Sequence, residues 1–375
     1  MRVLQIGKFY PIVGGIERVM YDIVVGISQM DDVDCDMLCA AIDRQSCIVT
    51  VNEKAKIICT STWFKAFATM ISPAMITKLR RIKNDYDIIH IHHPDPMAAL
   101  ALWLSGYKGK VVLHWHSDIL KQKISLKLYA PLQRWLIGRA DVIFGTSPVY
   151  LQESPFLQSD SLNKVCIPIG IDPVMPDSEI VKAIRRKYDS KKIVFALGRL
   201  VEYKGFEYLI EAAKYLSNDY ILLIGGSGVL RQKLEKMIET NHLRSKVELL
   251  GRISDEDLPG YFGACDLYVM SSIWKTEAFG IVQIEAMSCG KPVVATKIEG
   301  SGVSWVNEDG VSGINVETEN AEAIADAIVD ILSEEKRYRE FSQAAKERYE
   351  TLFRKERMIE KCTELYKEIA SKNDA

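Results

Sequence analysis

Glu277 and Glu285 stand eight residues apart in the run Ser272-Ile-Trp-Lys-Thr-Glu277-Ala-Phe-Gly280-Ile-Val-Gln-Ile-Glu285-Ala-Met-Ser-Cys-Gly290-Lys-Pro292. Ile281, Ile284 and Met287 recur at helical spacing, Gly290 suits a left-handed C-terminal position, and Pro292 blocks continuation. Glu277 is therefore expected in a loop, and Glu285 about a turn inside a helix that starts near Gly280. Between them, the free N–H groups of a first helical turn bind anions. Two carboxylates for hydroxyls beside an amide cradle for phosphate suit a nucleotide-sugar.

Other candidate groups fall where short apolar runs hand over to loops. Gly14-Gly15, in Tyr10-Pro-Ile-Val-Gly14-Gly15-Ile-Glu17-Arg18, lets backbone approach a phosphate or sugar closely, a reading that competes with a plain strand-to-helix turn. His114-Trp-His116-Ser-Asp118 ends another run. Arg199 and Lys204, in Gly198-Arg199-Leu-Val-Glu-Tyr-Lys204-Gly205, suit a diphosphate. Gly225-Gly226-Ser-Gly228 opens a helix, and in Arg252-Ile253-Ser254-Asp-Glu-Asp257 the Ser254–Asp257 pair reads as a capping box. His90, His92 and His93 invite a zinc reading. Adjacent strand positions alternate faces, however, and no carboxylate or cysteine completes a tetrahedral set, so no metal is expected.

The elements that must hold these groups are apolar runs at 3–7, 88–92, 111–116, 142–146 and 165–169, then 193–197, 220–224, 247–250, 267–270, 293–296 and 313–316. Most are continuous, as in parallel strands buried on both faces. Their alternation with helix-like segments predicts an α/β protein with doubly wound sheets, whose ligands bind beyond the C-terminal strand ends. A chain of 375 residues suits two cores. The boundary is expected at Ile167-Pro-Ile-Gly-Ile-Asp172-Pro173, and a long charged helix from Ala344 to Ala370.

The formal net charge of -2 argues against a nucleic-acid partner. Eight scattered cysteines without a C-x-x-C pair read as reduced and intracellular. Pro96–Tyr107, the longest uncharged apolar stretch, is too short to span a bilayer. Charge is uneven: Lys54–Arg139 holds 14 Lys+Arg, four Asp and no Glu, a balance of +10 that leaves −12 elsewhere. Two segments there mix bases with large apolar groups, Trp63–Ile71 continuing to Lys83 and Ile119–Tyr129 continuing to Arg139. Both read as basic amphipathic helices, either lying on anionic lipid or presenting a solvated basic face. Expected location is cytoplasmic, peripheral at the inner membrane.

Taken in this order, Gly14-Gly15, His116, Gly198-Arg199 with Lys204, and the Glu277-x7-Glu285 block resemble the retaining glycosyltransferases of family 4 over nearly the whole chain. That resemblance implies the GT-B fold: two Rossmann-like domains facing across a cleft, an acceptor-side domain at 1–172, a nucleotide-sugar domain at 173–350 and a helix at 351–375 packing back on the first. The wording His114-Trp-His-Ser-Asp-Ile, Glu277-Ala-Phe-Gly-Ile-Val-Gln and Ser301-Gly-Val-Ser-Trp-Val-Asn307 is similar to a bacterial subgroup. Its members build O-antigen and related polysaccharides, often from GDP-mannose or GDP-deoxyhexoses. By resemblance, Arg199 and Lys204 hold the diphosphate and Glu285 takes the ribose hydroxyls. Glu277 takes hydroxyls of the donor sugar, while the amides of Ala278, Phe279, Gly280, Ile281 and Val282 serve sugar and phosphate. Arg252 and Ile253 lie beside the base with Gly226 nearby, Gly14 and Gly15 line the cleft, and His116 joins Glu277 at the reacting centre.

The implied reaction displaces a nucleoside diphosphate from an anomeric carbon, with an oxocarbenium-like transition state. Two cations and a helix N-terminus suit the growing phosphate charge without metal or cofactor. A carboxylate nucleophile, as in retaining glycosidases, would fit Glu277. The resemblance instead implies front-face attack assisted by the leaving phosphate, which leaves Glu277 to position the substrate. Asp85-Tyr-Asp87 has the D-x-D spacing of metal-dependent transferases but reads as a turn before a strand. A UDP-sugar donor is the alternative, and a non-catalytic binding protein of the same fold a further one. A dinucleotide oxidoreductase would need G-x-G-x-x-G after the first strand, and Gly7-Lys-Phe-Tyr-Pro-Ile-Val-Gly14-Gly15 does not supply it. The basic first domain favours a lipid-linked saccharide acceptor.

Overall fold

The computed structural model describes residues 1–12, 14–66, 69–119 and 123–371, with side chains in the last segment from residue 127 on. The chain divides into two compact units, Met1–Gly170 with Lys355–Ala375, and Ile171–Arg354.

The first unit is built on ten strands: β1 (Arg2–Tyr10), β2 (Asp34–Ala41), β3 (Cys47–Asn52), β4 (Ala55–Thr60), β5 (Phe64–Ala66), β6 (Thr69–Ile71), β7 (Ile88–His93), β8 (Lys110–Trp115), β9 (Val142–Gly145) and β10 (Lys164–Cys166). Eight form one sheet in the order β10-β9-β8-β7-β1-β2-β4-β3. β3 is antiparallel to β4, and the other pairs are parallel. The winding reverses between β1 and β7, so the ligand crevice of this sheet opens where those strands end. Helices α1 (Gly15–Ser28), α2 (Pro73–Ile82), α3 (Pro96–Ser105) and α4 (Lys123–Arg139) connect strands. α3 starts at Pro96 because Asp95 Oδ1 accepts from the amides of Met97 and Ala98 at 3.0 and 3.1 Å. The Lys355–Ser371 helix packs on α1 so closely that a Cβ at Gly26 would stand 2.0 Å from Ile359 Cδ1.

The second unit is a six-stranded parallel sheet: β11 (Lys192–Leu197), β12 (Tyr220–Gly225), β13 (Val247–Gly251), β14 (Leu267–Met270), β15 (Val293–Lys297) and β16 (Gly313–Glu317). Its order is β13-β12-β11-β14-β15-β16, so winding reverses between β11 and β14. Leu222, Ile224, Val269 and Val294 pack with Leu209, Ile210 and Ile328 of the covering helices. Each such buried aliphatic contributes roughly 1.5–3 kcal/mol.

Three expectations are corrected. β2, β3 and β4 lie outside the expected strand runs. β2 opens with the polar Asp34-Cys-Asp36 before its apolar run Met37–Ala41, and Asp36 is buried because Tyr86 Oη donates to it at 2.6 Å and the Lys56 amide at 2.9 Å. Within Trp63–Ile71, Phe64–Ala66 and Thr69–Ile71 are strands of an antiparallel hairpin rather than helix, and α2 begins only at Pro73. The C-terminal helix is broken: Glu335–Arg348 gives way to a wide turn at Tyr349–Phe353, with Tyr349 and Phe353 fully buried. Among the described residues no helix is long and apolar enough to cross a membrane, and all eight cysteines are free.

Candidate functional site

In the second unit the candidate residues gather at the β11/β14 reversal. Lys204 ends a short turn, Glu202–Lys204, after β11, and Glu277 lies in the loop after β14. Lys204 Nζ and Glu277 Oε2 form an ion pair whose side chains are only 10% and 14% exposed, and Ser272 Oγ donates to the same carboxylate oxygen at 3.1 Å. The two loops are stitched together. Ser271 Oγ donates to the Lys204 carbonyl at 2.9 Å, and the Ile273 amide to the Tyr203 carbonyl at 2.8 Å. Gly205 closes the turn at φ +61, where a Cβ would stand 2.2 Å from the Ser271 carbonyl oxygen. Only glycine serves there.

Gly280, at φ +78, caps the Ile281–Ser288 helix. Phe279 is buried edge-to-face against Phe353 at 6.0 Å, so its backbone rather than its ring is available to a ligand. Gln283 braces this entry: its Nε2 donates to the carbonyls of Phe279 at 3.0 Å and Val303 at 3.1 Å. The Gln283 amide bonds back to the Gly280 carbonyl at 3.0 Å, while the Ala278 carbonyl is taken by the Gly302 amide at 2.9 Å. Ile281 and Val282, both partly exposed, open the helix. Gly290, at φ +67, ends it: its amide bonds the Met287 carbonyl at 2.8 Å, and that of Lys291 bonds Ala286 at 3.0 Å. Glu285, one turn inside, is partly exposed, yet desolvation pushes its carboxyl up to about 7. Beneath both glutamates lies Tyr268 of β14, whose phenol is held well above its ordinary value by desolvation and then by Glu277 and Glu285.

Arg199 is exposed, its Nη2 donating to Tyr203 Oη at 3.1 Å and its guanidinium 5.9 Å from that ring. The backbones at the ends of β11, β12 and β13 converge beside it. The Gly226 amide bonds the Gly251 carbonyl at 2.7 Å, and a Cβ at Gly226 (φ +134) would stand 1.8 Å from the Gly198 carbonyl oxygen. Ile253 lies against Gly225, Arg252 is exposed, and Ser254 Oγ accepts from the Asp257 amide at 3.0 Å.

In the first unit Gly14 is the N-cap of α1 and Gly15 its first residue. His116 follows β8, its amide bonded to the His93 carbonyl at 3.2 Å and its ring buried. Asp118 fixes that loop by accepting from Trp115 Nε1 at 2.9 Å and Ser154 Oγ at 2.8 Å. Asp87 of the D-x-D triplet accepts from the Arg2 amide at 2.7 Å, a strand-end turn. Sequence reasoning missed Lys8. It sits at the end of β1 in a left-handed conformation (φ 58), its Nζ on the Pro94 carbonyl and its amide on Asp95. Burial lowers its ammonium, with Asp95 and Glu17 opposing. Its position directly after Gly7 was the available signal.

Five of the six histidines are buried, four on β7 and β8 and His116 just after β8. The β7/β8 register sets His92 against His114, which puts His90, His92, His114 and His116 on one face and His93 on the other, stacked on Trp115 at 3.7 Å. Among the described residues His90, His92 and His114 are the one set with ligand atoms close enough for a metal. Their rings are stacked or tilted by only 10–31°, so their in-plane lone pairs run side by side instead of converging tetrahedrally. Both His92 nitrogens are already hydrogen-bonded. A cavity of about 920 Å³, bordered by Val174, Cys289, Lys291 and Arg339, contains none of the candidate site residues.

Residues 177–348 match the family model Glycosyl transferases group 1, and residues 13–173 match Glycosyltransferase Family 4. O-antigen chain mannosyltransferase C of Escherichia coli is 30% identical over 98% of this chain and 98% of its own length. The D-rhamnosyltransferase WbpZ of Pseudomonas aeruginosa is 29% identical over 94% of this chain and 92% of its own. Among solved structures, sucrose-phosphate synthase from Thermosynechococcus elongatus superposes with a TM-score of 0.78 at 21% identity over 99% of both chains. HepE of Anabaena, in complex with UDP, superposes with a TM-score of 0.77 at 19% identity, covering 98% of this chain and 100% of that one. Two Rossmann-like units, a match to both family models in order and a full-length relative at 30% identity place the chain among the group 1 and family 4 glycosyltransferases of GT-B fold.

Proposed function

We propose that the enzyme transfers a hexosyl residue, with retention, from GDP-mannose or a GDP-deoxyhexose to a lipid-linked saccharide in bacterial polysaccharide or O-antigen assembly. The observation that carries this reading is the nearly buried Lys204–Glu277 pair at the β11/β14 reversal, beside the Gly280-capped helix and Glu285. In this reading Lys204, steadied by Glu277, and the exposed Arg199, bonded to Tyr203 Oη, take the diphosphate. The Ile281 and Val282 amides add partial positive charge where the leaving phosphate gains negative charge. Glu277 orients hydroxyls of the donor sugar, Glu285 takes the ribose, Arg252 and Ile253 flank the base beside Gly226, and Gly14 and Gly15 serve the donor phosphates and the acceptor. His116 serves the reacting sugar. These groups supply the charge stabilisation without a metal. The mannosyl- and rhamnosyltransferase relatives support the sugar class.

Melting-point shifts against GDP, UDP, ADP, dTDP and CMP, without added metal, test the reading, since a ligand of the folded state raises its melting temperature. A GDP response supports it. A UDP response moves the donor to a UDP-sugar, the second reading, and no response to any nucleotide removes the donor assignment. Exposure of Trp63 (66%), Trp103 (53%) and Leu128 (82%) beside exposed Arg80, Arg81, Lys127 and Arg134 supports docking on anionic lipid. Lys121 lies outside the described residues, as does the side chain of Lys123. Removing Lys78, Arg80 and Arg81 should weaken binding to anionic liposomes, and unchanged binding refutes that location.

A further inference from the structure

A buried hydrogen-bonded chain ends on His116. Its Nε2 lies 2.8 Å from His92 Nδ1. His92 Nε2 bonds Gln5 Oε1, Gln5 Nε2 lies 2.9 Å from Tyr366 Oη, and Tyr366 Oη bonds His90 Nδ1. All five side chains are buried, Gln5, His90, His92 and Tyr366 completely. Tyr366 arrives from the Lys355–Ser371 helix, 361 residues after Gln5.

Such a chain has a direction. The Gln5 carbonyl oxygen only accepts and its amide nitrogen only donates. His92 must therefore donate from Nε2. Burial holds both His92 and His116 well below their ordinary pKa, so each ring is neutral and carries one proton. His92 Nδ1 is then a bare lone pair, and His116 must be the donor, through Nε2–H. At the other end Tyr366 accepts from Gln5 and gives its own proton to His90 Nδ1. His116 Nδ1 is left a buried acceptor without a hydrogen-bond partner among the described residues. Besides His90, three more groups act on His116 electrostatically: His114, Lys8 and His93.

We propose that Gln5, His92 and Tyr366 are positioning residues that hold His116 as its Nε2–H tautomer, so that Nδ1 accepts a hydrogen bond from a hydroxyl of the reacting sugar. This rests on the role given to His116 above. The polarity matters chemically. A hydroxyl that donates to Nδ1 becomes more electron-rich and favours positive charge at the anomeric carbon, whereas a hydroxyl accepting from an Nδ1–H would be electron-poorer. Leaving Nδ1 unpaired in the resting enzyme costs stability, which a sugar hydroxyl recovers on binding.

Long-range proton–nitrogen correlation spectra of the full chain with 15N-labelled histidine read which ring nitrogen of His116 carries its proton, with a His116→Gln variant used to assign the signal. Wild type and Gln5→Glu, whose carboxylate still accepts from His92, should both show Nε2–H. Gln5→Leu removes that acceptor, and Tyr366→Phe frees the Gln5 amide to turn over. Each should populate Nδ1–H, with kcat about tenfold lower and KM within twofold of wild type, the scale on which loss of an orienting partner acts. Nδ1–H in the wild type, or a wild-type tautomer in both Gln5→Leu and Tyr366→Phe, overturns the proposal. Tyr366→Phe decides alone should Gln5→Leu fail to fold. If the tautomers behave as expected while His116→Gln keeps full turnover, positioning stands and the catalytic role of His116 falls.

Discussion

Replacing Lys204 by Met should damage both stability and chemistry, and the two effects should separate in a double variant. The substitution leaves the Glu277 carboxylate, 14% exposed, with the hydrogen bond from Ser272 Oγ at 3.1 Å but without the Lys204 cation beside it. Breaking a buried pair by removing one member costs about 3–5 kcal/mol. For a unit of this size each kcal/mol lowers the melting temperature by roughly 2–4 °C, so a fall of about 6–12 °C is expected as the lower range. Glu277→Gln, which strands the Lys204 ammonium, should cost a similar amount. Lys204→Met with Glu277→Gln together leaves no charge behind and should return to within about 1 kcal/mol of wild type, because a neutral replacement of a buried pair is nearly neutral in stability. Activity should not return. Each single variant is expected to lose about 10²–10³ in kcat, the scale of one removed transition-state stabiliser, and the double variant to remain as poor. Calorimetry and initial rates on the same four proteins complete the cycle. Singles that melt within 1–2 °C of wild type would refute the buried pair. A double variant that regains turnover would refute its catalytic use.

Three other outcomes are expected. Glu285, pushed up to about 7 by desolvation, binds its proton more tightly folded than unfolded. Stability should therefore decline as pH rises from about 4.5 to 7, by no more than about 3 kcal/mol, and Glu285→Gln should abolish that slope in melting curves. The nucleotide affinity gap between wild type and Glu285→Gln should likewise shrink below pH 7, where the carboxylate is lost. The five buried histidines are held neutral by desolvation, His93 and His114 down to about 3. The unfolded chain takes up protons below about 6.5 that the fold refuses, so stability of the first unit should fall with a slope approaching ~7 kcal/mol per pH unit near pH 5. The second unit, whose one histidine is the exposed His242, should not follow, and calorimetry from pH 7 to 5 would show both units melting alike if the reasoning fails. Gly226→Ala places a methyl 1.8 Å from the Gly198 carbonyl at φ +134, so a loss of roughly 1–3 kcal/mol from strain alone and weaker nucleotide binding are expected in thermal shifts.

Every strand of the second unit was legible as an apolar run, because a parallel strand covered by helices on both faces leaves no polar side to interrupt it. The Ile281–Ser288 helix was legible end to end, since Gly280, Gly290 and Pro292 are local punctuation. β2 was not, because it opens on Asp34 and Asp36, and Asp36 is acceptable in a buried strand only through partners distant in sequence, Tyr86 50 residues away and the Lys56 amide 20 residues away. The partnership of Lys204 with Glu277 was equally out of reach. It exists because β11 and β14 became neighbours, and winding order is set by how helices cover the sheet rather than by either loop. Alternation along β7 placed His92 and His93 on opposite faces from residue types alone. The pairing of β7 with β8, and the arrival of Tyr366 from the far end of the chain, decided that four histidines share one face and that a hydrogen-bonded chain runs through them. Residue spacing determines which groups one segment can present, and strand register and order determine which segments meet.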